Sequence, residues 1–487
     1  MNRTCFLSFA CLPLLLGAGP ALGEDAPWQR TVSTQALQED FATLYRGLRN
    51  AHADLFVHRS EADYEALYTK TLASLTEPMS LFDAHVRFQQ FTAYGNVAHA
   101  RLEFPSAAYQ AFQDSGGRTF PIYLRLHEGR AYVDDNRSGH PRPRPGDELL
   151  TLNGVAISEW LERVAEHISA DTPYIAHSLL EFTFARYLWL EAGEVASFTL
   201  GLRDAQGEPY EVMIEALGEQ AQREIDRTQP GRFTLNSDER TARMLDDATA
   251  YLRPGPFYNA ENPNALWDNS AYLRFIDQAF ADFLEARAQT LIIDLRDNPG
   301  GDNSFSDPLL AWFADAPFRF CSAFLIRSSD EAAASNQTRL DASADATAGV
   351  SAAFAREYAK TPRGQQFAFE IPLVTPRVEP RFEGQVVVLI NRHSYSNAVN
   401  VAATVQDYGF GVIAGEKTAD MATTYGAMET FTLPNTGLAV GFPKAHIIRP
   451  SGDRRVDGVT PDWPIASPIT PSTEDVVLAS VRKRIAP

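Results

Sequence analysis

The chain is predicted to be an α/β protein with a helical N-terminal region and a small β-rich module ahead of the main sheet. Three observations point there. Apolar residues recur at helical spacing from about Thr34 to Leu102, short alternating strands fill about Phe120 to Leu217, and from about Ala271 fully apolar strands alternate with helices. Buried apolar strands interleaved with helices indicate a largely parallel sheet. At roughly 100–200 residues per domain, 487 residues suggest two to four domains. The expected divisions are a leader over 1–23, a helical region over 24–117, a β-rich module over 118–225 and an α/β core over 226–487.

The leader is read from Met1-Asn2-Arg3, the apolar stretch Cys5 to Leu16 and the small residues around Ala21-Leu22-Gly23. A short positive start, an apolar run and a small-residue cleavage site make a secretory signal, so an exported, periplasmic protein is expected. Removing it takes away Cys5 and Cys11 and leaves Cys321 of the three cysteines, so no internal disulfide is expected. Phe320-Cys321-Ser322-Ala323-Phe324 reads as a buried strand, which makes Cys321 a core residue. Beyond the leader no apolar run reaches the ~20 residues a membrane helix needs. A net charge of −19 argues against a nucleic-acid partner, because phosphate recognition needs clustered Lys and Arg.

In the helical region Leu37, Phe41, Leu44, Tyr45 and Leu48 share one face, and Tyr64 to Leu75 and Leu81 to Phe91 suggest two further helices. In the module Ile122 to Leu126 alternates, and the Pro141–Gly146 tract forbids a helix. Glu148 to Leu152 followed by Asn153-Gly154 is a strand closed by a tight turn. Ile157 to Ile168 is expected as a helix, and Ser197 to Leu200 and Tyr210 to Ile214 as paired strands around Gln206-Gly207. The string Pro145 to Val155 resembles the central strand and turn of a PDZ domain. Residues 226–260 read as a polar connector. In the core the strands are Thr290 to Leu295, Gln385 to Ile390 and Gly411 to Gly415, with helices over Tyr272 to Ala286 and Asn397 to Tyr408.

Two strand-to-helix turns carry the chemistry, since sites in α/β sheets sit at the carboxyl ends of strands. The first, Asp294-Leu295-Arg296-Asp297-Asn298-Pro299-Gly300-Gly301, has paired glycines whose N–H groups can converge on an anion. Pro-Gly-Gly is also a common plain turn. The second, Asn391-Arg392-His393-Ser394-Tyr395-Ser396-Asn397-Ala398, puts Ser396 and the Asn397 amide at a helix N-terminus, where free N–H groups stabilise an oxyanion. Taken alone, Ser394 or Ser396 equally well caps that helix.

Together the two turns resemble the signature of the tail-specific or C-terminal processing proteases, the S41 serine peptidases. So do Gln406-Asp407-Tyr408-Gly409, Gly415-Glu416-Lys417-Thr418 and the closing Asp457-Gly458-Val459-Thr460-Pro461-Asp462. The resemblance implies a crotonase/ClpP-like protease core, a PDZ-like module and a polypeptide substrate; no cofactor is expected, and no metal either, since neither a His-Glu-x-x-His motif nor a cysteine pair is present. It also implies Ser396 as nucleophile, and the amides of Asn397 and of Gly300 or Gly301 as oxyanion donors.

In the Ser–Lys branch of that family the activating lysine falls about 25 residues after the serine, and Met421 stands there. A thioether cannot accept the serine proton. Asn96-Val97-Ala98-His99-Ala100-Arg101-Leu102 resembles the histidine-bearing segment of tricorn-like S41 proteins, which implies His99 as general base. In that arrangement a serine and a glutamate orient the histidine; Ala98 replaces the serine, and Asp457 is the acid nearest the closing motif. Lys417, Lys444 and His393 remain rival bases. Two other functions stay open: a peptide-binding protein that has lost catalysis, and a hydrolase of small esters or amides.

Overall fold

The computed structural model describes residues 27–229, 233–341 and 349–485. The expected leader lies outside the described residues. None of the described helices is long and apolar enough to cross a membrane.

Three N-terminal helices, Thr34–Ala51, Glu61–Ser74 and Leu81–Ala93, match the expected periodicity. Each begins at a serine (Ser33, Ser60, Ser80) whose hydroxyl accepts the amide three residues on. That satisfies one of the donors a helix leaves open at its start. Their apolar faces do not close on themselves. Phe41, Leu44, Leu48 and Phe88 share one core with Leu433, Phe442 and Ile447 from near the other end of the chain. Buried Asp40 seals this joint: its carboxylate accepts the Asn435 and Thr436 amides at 3.0 and 2.7 Å and the Thr436 hydroxyl at 2.5 Å. Asp40→Ala is expected to cost about 3 kcal/mol, since buried donors lose a charged acceptor, read as a lower denaturation midpoint at unchanged slope.

The module is an antiparallel sheet in the order Ile122–His127, Arg130–Asn136, Glu148–Leu152, Ser197–Arg203, Pro209–Glu215. Asn153 and Gly154 both take positive φ, 51° and 76°, as a two-residue hairpin turn requires. Helix Ile157–Ala165 ends slightly earlier than the sequence predicts. A second helix, Pro173–Ala192, is not anticipated by periodicity. Ile175, Leu180, Phe184 and Leu188 go to the module core, while Glu181 turns to charged partners elsewhere, so no single apolar stripe marks it.

The main sheet has six strands in the order Trp463–Pro464, Val412–Gly415, Gln385–Ile390, Thr290–Asp294, Thr249–Arg253, Thr241–Met244. All neighbours are parallel except the last pair. That last pair corrects the expectation of a connector over 226–260: residues 241–253 form an edge hairpin of the core. Thr249–Arg253 is wholly buried but only five residues long, and the acidic turn ahead of it hides it in the sequence. Alternate strand residues serve opposite faces. Leu291, Ile293, Val386, Val388 and Ile390 pack under helices Ser270–Glu285, Asn303–Ala311 and Asn397–Tyr408, while Ile292, Val387 and Leu389 meet helix Val476–Ile485.

A second, antiparallel sheet runs Gln366–Ala368, Ala323–Arg327, Ala439–Ile448, Thr424–Thr432. The strand expected at Phe320–Phe324 starts three residues later, and Cys321 is buried just ahead of it. Helices Asp330–Asp341 and Gly349–Lys360 are also unanticipated; they cover this sheet through Ala332 and Phe354.

Candidate active site

The two turns singled out in the sequence lie side by side at the carboxyl ends of adjacent parallel strands, Thr290–Asp294 and Gln385–Ile390. Asn298 ties them together. Its carbonyl accepts the Tyr395 amide at 2.9 Å, its side-chain oxygen accepts the Gly300 amide at 2.9 Å, and its side-chain amide donates to Gly255 at 2.7 Å. Asp297 and Asn391 add a reciprocal pair at 3.0 and 2.7 Å. The rest of the first motif is structural: buried Asp294 accepts Tyr251 Oη at 2.7 Å and Arg296, which also reaches Asp475.

Ser396 precedes helix Asn397–Tyr408 at φ 51°, ψ −121°, a backbone region costly for any residue with a side chain. Its hydroxyl does not cap the helix. Ser394 has a separate structural role: its hydroxyl donates to Leu295 O at 2.8 Å and accepts the Asn391 amide at 3.1 Å. The Ser396 turn is pressed against Gly300, where a β-carbon would sit 2.6 Å from Tyr395 O, 2.7 Å from Asn397 N and 2.8 Å from Ser396 Cβ. Gly300 and Gly301 have φ of 88° and 138°. The Gly300 amide is taken by Asn298, whereas the Gly301 amide donates to no acceptor among the described residues. Asn397 opens its helix, so its amide has no acceptor within it.

His99 lies in the turn 97–100, held from two sides. Arg101 pairs with Gly441 of the second sheet, and Asp171 of the module accepts the Ala98 amide at 2.9 Å. The ring is 8% exposed and stacks on Tyr395, the neighbour of Ser396, with centroids 5.9 Å apart. Its Nδ1 is buried without a hydrogen-bond partner among the described residues. Burial lowers its pKa to about 4; Arg101 acts the same way, and Asp171 and the Tyr425 carbonyl oppose. The ring is therefore neutral at pH 7.

The other sequence candidates have partners of their own. Asp457 and Lys417 form an ion pair with each other, both partly exposed. Lys444 is buried against Glu429 at 2.5 Å, with its charge over the Phe354 ring. His393 has Nδ1 3.3 Å from Asp297 and Nε2 2.9 Å from Glu181. Burial alone lowers its pKa, but the two carboxylates raise it above the ordinary value. Met421 is 3% exposed and packs with Ala419 into the module's core, among Ile175 and Leu180.

Two acids went unnoticed in the sequence. Asp420 accepts the Ser396 amide at 2.5 Å, and Asp171 sits beneath the His99 turn. Neither belongs to a periodic pattern; only the position of Asp420 beside Met421 offered a signal. Among the described residues no group of His, Cys, Asp or Glu side chains could hold a metal ion.

Residues 267–465, which span both turns and the closing motif, match the model of peptidase family S41. Over this segment the chain is similar to the peptidase domains of that family. Peptidases of that family are serine proteases. No curated protein matches the chain. Among solved structures, mature CPAF is 16% identical with a TM-score of 0.62, over 93% of this chain and 95% of that one. CPAF complexed with lactacystin is 15% identical with a TM-score of 0.60, over 93% and 97%. At such identities the likeness is one of fold, and it extends beyond the S41 segment into the N-terminal region and the module.

Proposed function

We propose that the protein is an exported serine peptidase in which Ser396 attacks a peptide carbonyl. The observation that carries this is the strained Ser396 turn packed onto Gly300 at a helix N-terminus. A serine that merely capped the helix would have ordinary backbone angles and a bonded hydroxyl. Ser396 Oγ forms a bond to the carbonyl carbon as its proton passes to His99, and the imidazolium returns that proton to the leaving amine. Water, deprotonated by the same ring, then hydrolyses the acyl-enzyme. The amides of Asn397 and Gly301 are the donors for the oxyanion, since that of Gly300 is occupied. Asp171, through the Ala98 amide, is better placed than Asp457 to support the His99 turn. Export and a periplasmic location rest on the residue pattern over 1–23.

A fluorophosphonate probe tests the reading. The folded protein is expected to be labelled at Ser396, located by peptide mass mapping, and to cleave an unfolded polypeptide in preference to small esters. His99→Ala should slow labelling by about 10²–10⁴-fold, the usual contribution of a general base. Folded protein that takes no label would instead be a peptide-binding relative.

A further inference from the structure

The position aligned with the family's lysine is apolar, but the residue before it is an acid directed at the nucleophile. Asp420 is 1% exposed. One carboxylate oxygen accepts the Ser396 amide at 2.5 Å and the other accepts the Met421 amide at 2.8 Å. The turn that carries it is rigidly seated. Thr418 Oγ1 donates to the Asp420 carbonyl at 2.9 Å and accepts the Val459 amide at 2.9 Å, the Ala419 amide reaches Arg392 O at 3.3 Å, and Met421 anchors in the module core. The carboxylate thus bridges a fixed turn and the strained backbone of Ser396.

We propose that Asp420 is a positioning residue whose ionised carboxylate holds the Ser396 amide and so fixes the nucleophile at its unusual backbone angles. This rests on the serine-hydrolase reading above. Both oxygens already face N–H donors, so a proton added to either one meets a donor and displaces one of the two contacts. Protonation therefore loosens Ser396 without touching His99. The groups facing Asp420 are Asp171 from the module, Arg101 from the His99 turn and Tyr395 beside Ser396. Burial raises the carboxyl to about 7, the two amides oppose, Asp171 raises it further and Arg101 lowers it. His99, at about 4, is neutral through the same range.

The test compares wild type with Asp420→Asn, which keeps the size, retains one acceptor and cannot titrate. The fluorophosphonate labelling rate at saturating probe is followed from pH 5 to 8, and the melting temperature from pH 4 to 8. Wild-type labelling should rise about 100-fold across the range, as expected for one group ionising near 7. The variant should be at least about tenfold slower at pH 8 and nearly flat with pH. The melting temperatures read the buried charge without any catalysis. Because the folded-state pKa of Asp420 lies above its unfolded value of ~3.9, wild type should lose stability relative to the variant as pH rises from about 4 to 7. Parallel labelling profiles, or a melting difference independent of pH, would overturn the inference and leave the hydrolase reading intact. Wild type unlabelled at every pH would overturn both.

Discussion

Gly300→Ala is expected to slow Ser396 labelling on the order of 10²-fold or more while the protein still folds. The added methyl would meet Tyr395 O, Asn397 N and Ser396 Cβ, all between 2.6 and 2.8 Å. None is the tip of a flexible side chain: two are backbone atoms and the third is the β-carbon of Ser396. Relief must come from moving the turn that presents the serine. Since covalent attack requires reacting atoms within ~3–3.5 Å and aligned, a displacement of ~1 Å is enough to lose that much rate. The positive φ of 88° adds a backbone cost of about 1 kcal/mol, which the clash must be separated from. Gly207→Ala supplies the control, because it has φ 91° in a module hairpin and its β-carbon meets nothing within 4 Å. That variant should lose similar stability and label at the wild-type rate. Equal labelling by both would mean that Gly300 does not shape the Ser396 turn.

The fold was legible wherever burial imposed a period. The helix at Leu37 to Leu48 and the strands at Thr290 and Gln385 each bury one face or both, and their residues record it. Legibility failed where an element faces two environments. Helix Pro173–Ala192 gives apolar residues to the module and Glu181 to the core, and Thr249–Arg253 is a buried strand ending in an arginine. The site divides the same way. Gly300, Ser396 and Asn397 stand on contiguous motifs that a sequence displays. Asp420 and Asp171 act through single hydrogen bonds across 24 and 73 residues, and no local pattern marks such a pair. The missing lysine also acquires a physical explanation. Met421 is a core residue of the joint between the module and the α/β core, so a charge there would be desolvated among Ile175 and Leu180.

That joint sets the second large effect. Glu181 is placed where three donors converge beside a buried histidine. One oxygen accepts the Leu126 amide at 2.7 Å and Arg392 at 2.9 Å; the other accepts Arg125 at 3.1 Å and lies 2.9 Å from His393 Nε2. Arg392 also donates to Glu416 at 3.0 Å, and it begins the turn that ends in Ser396. Glu181→Ala should therefore cost about 3–5 kcal/mol, because it leaves the buried Arg392 guanidinium and the part-buried Arg125 guanidinium under-compensated. It should slow labelling as well, since Arg392 then keeps only Glu416 and the Leu126 carbonyl as partners. Burial pushes the Glu181 carboxyl up, but His393, Arg125 and Arg392 hold it below its ordinary value. Its stabilisation is therefore present above ~4.3 and is lost as pH falls through the lowered folded value. His393, raised, contributes fully below ~6.5 and loses that contribution as pH rises through its own folded value. Wild type should be most stable between these limits, and Glu181→Ala should flatten that maximum. A variant that unfolds at the wild-type midpoint would show that the module and the Ser396 turn are not held together here.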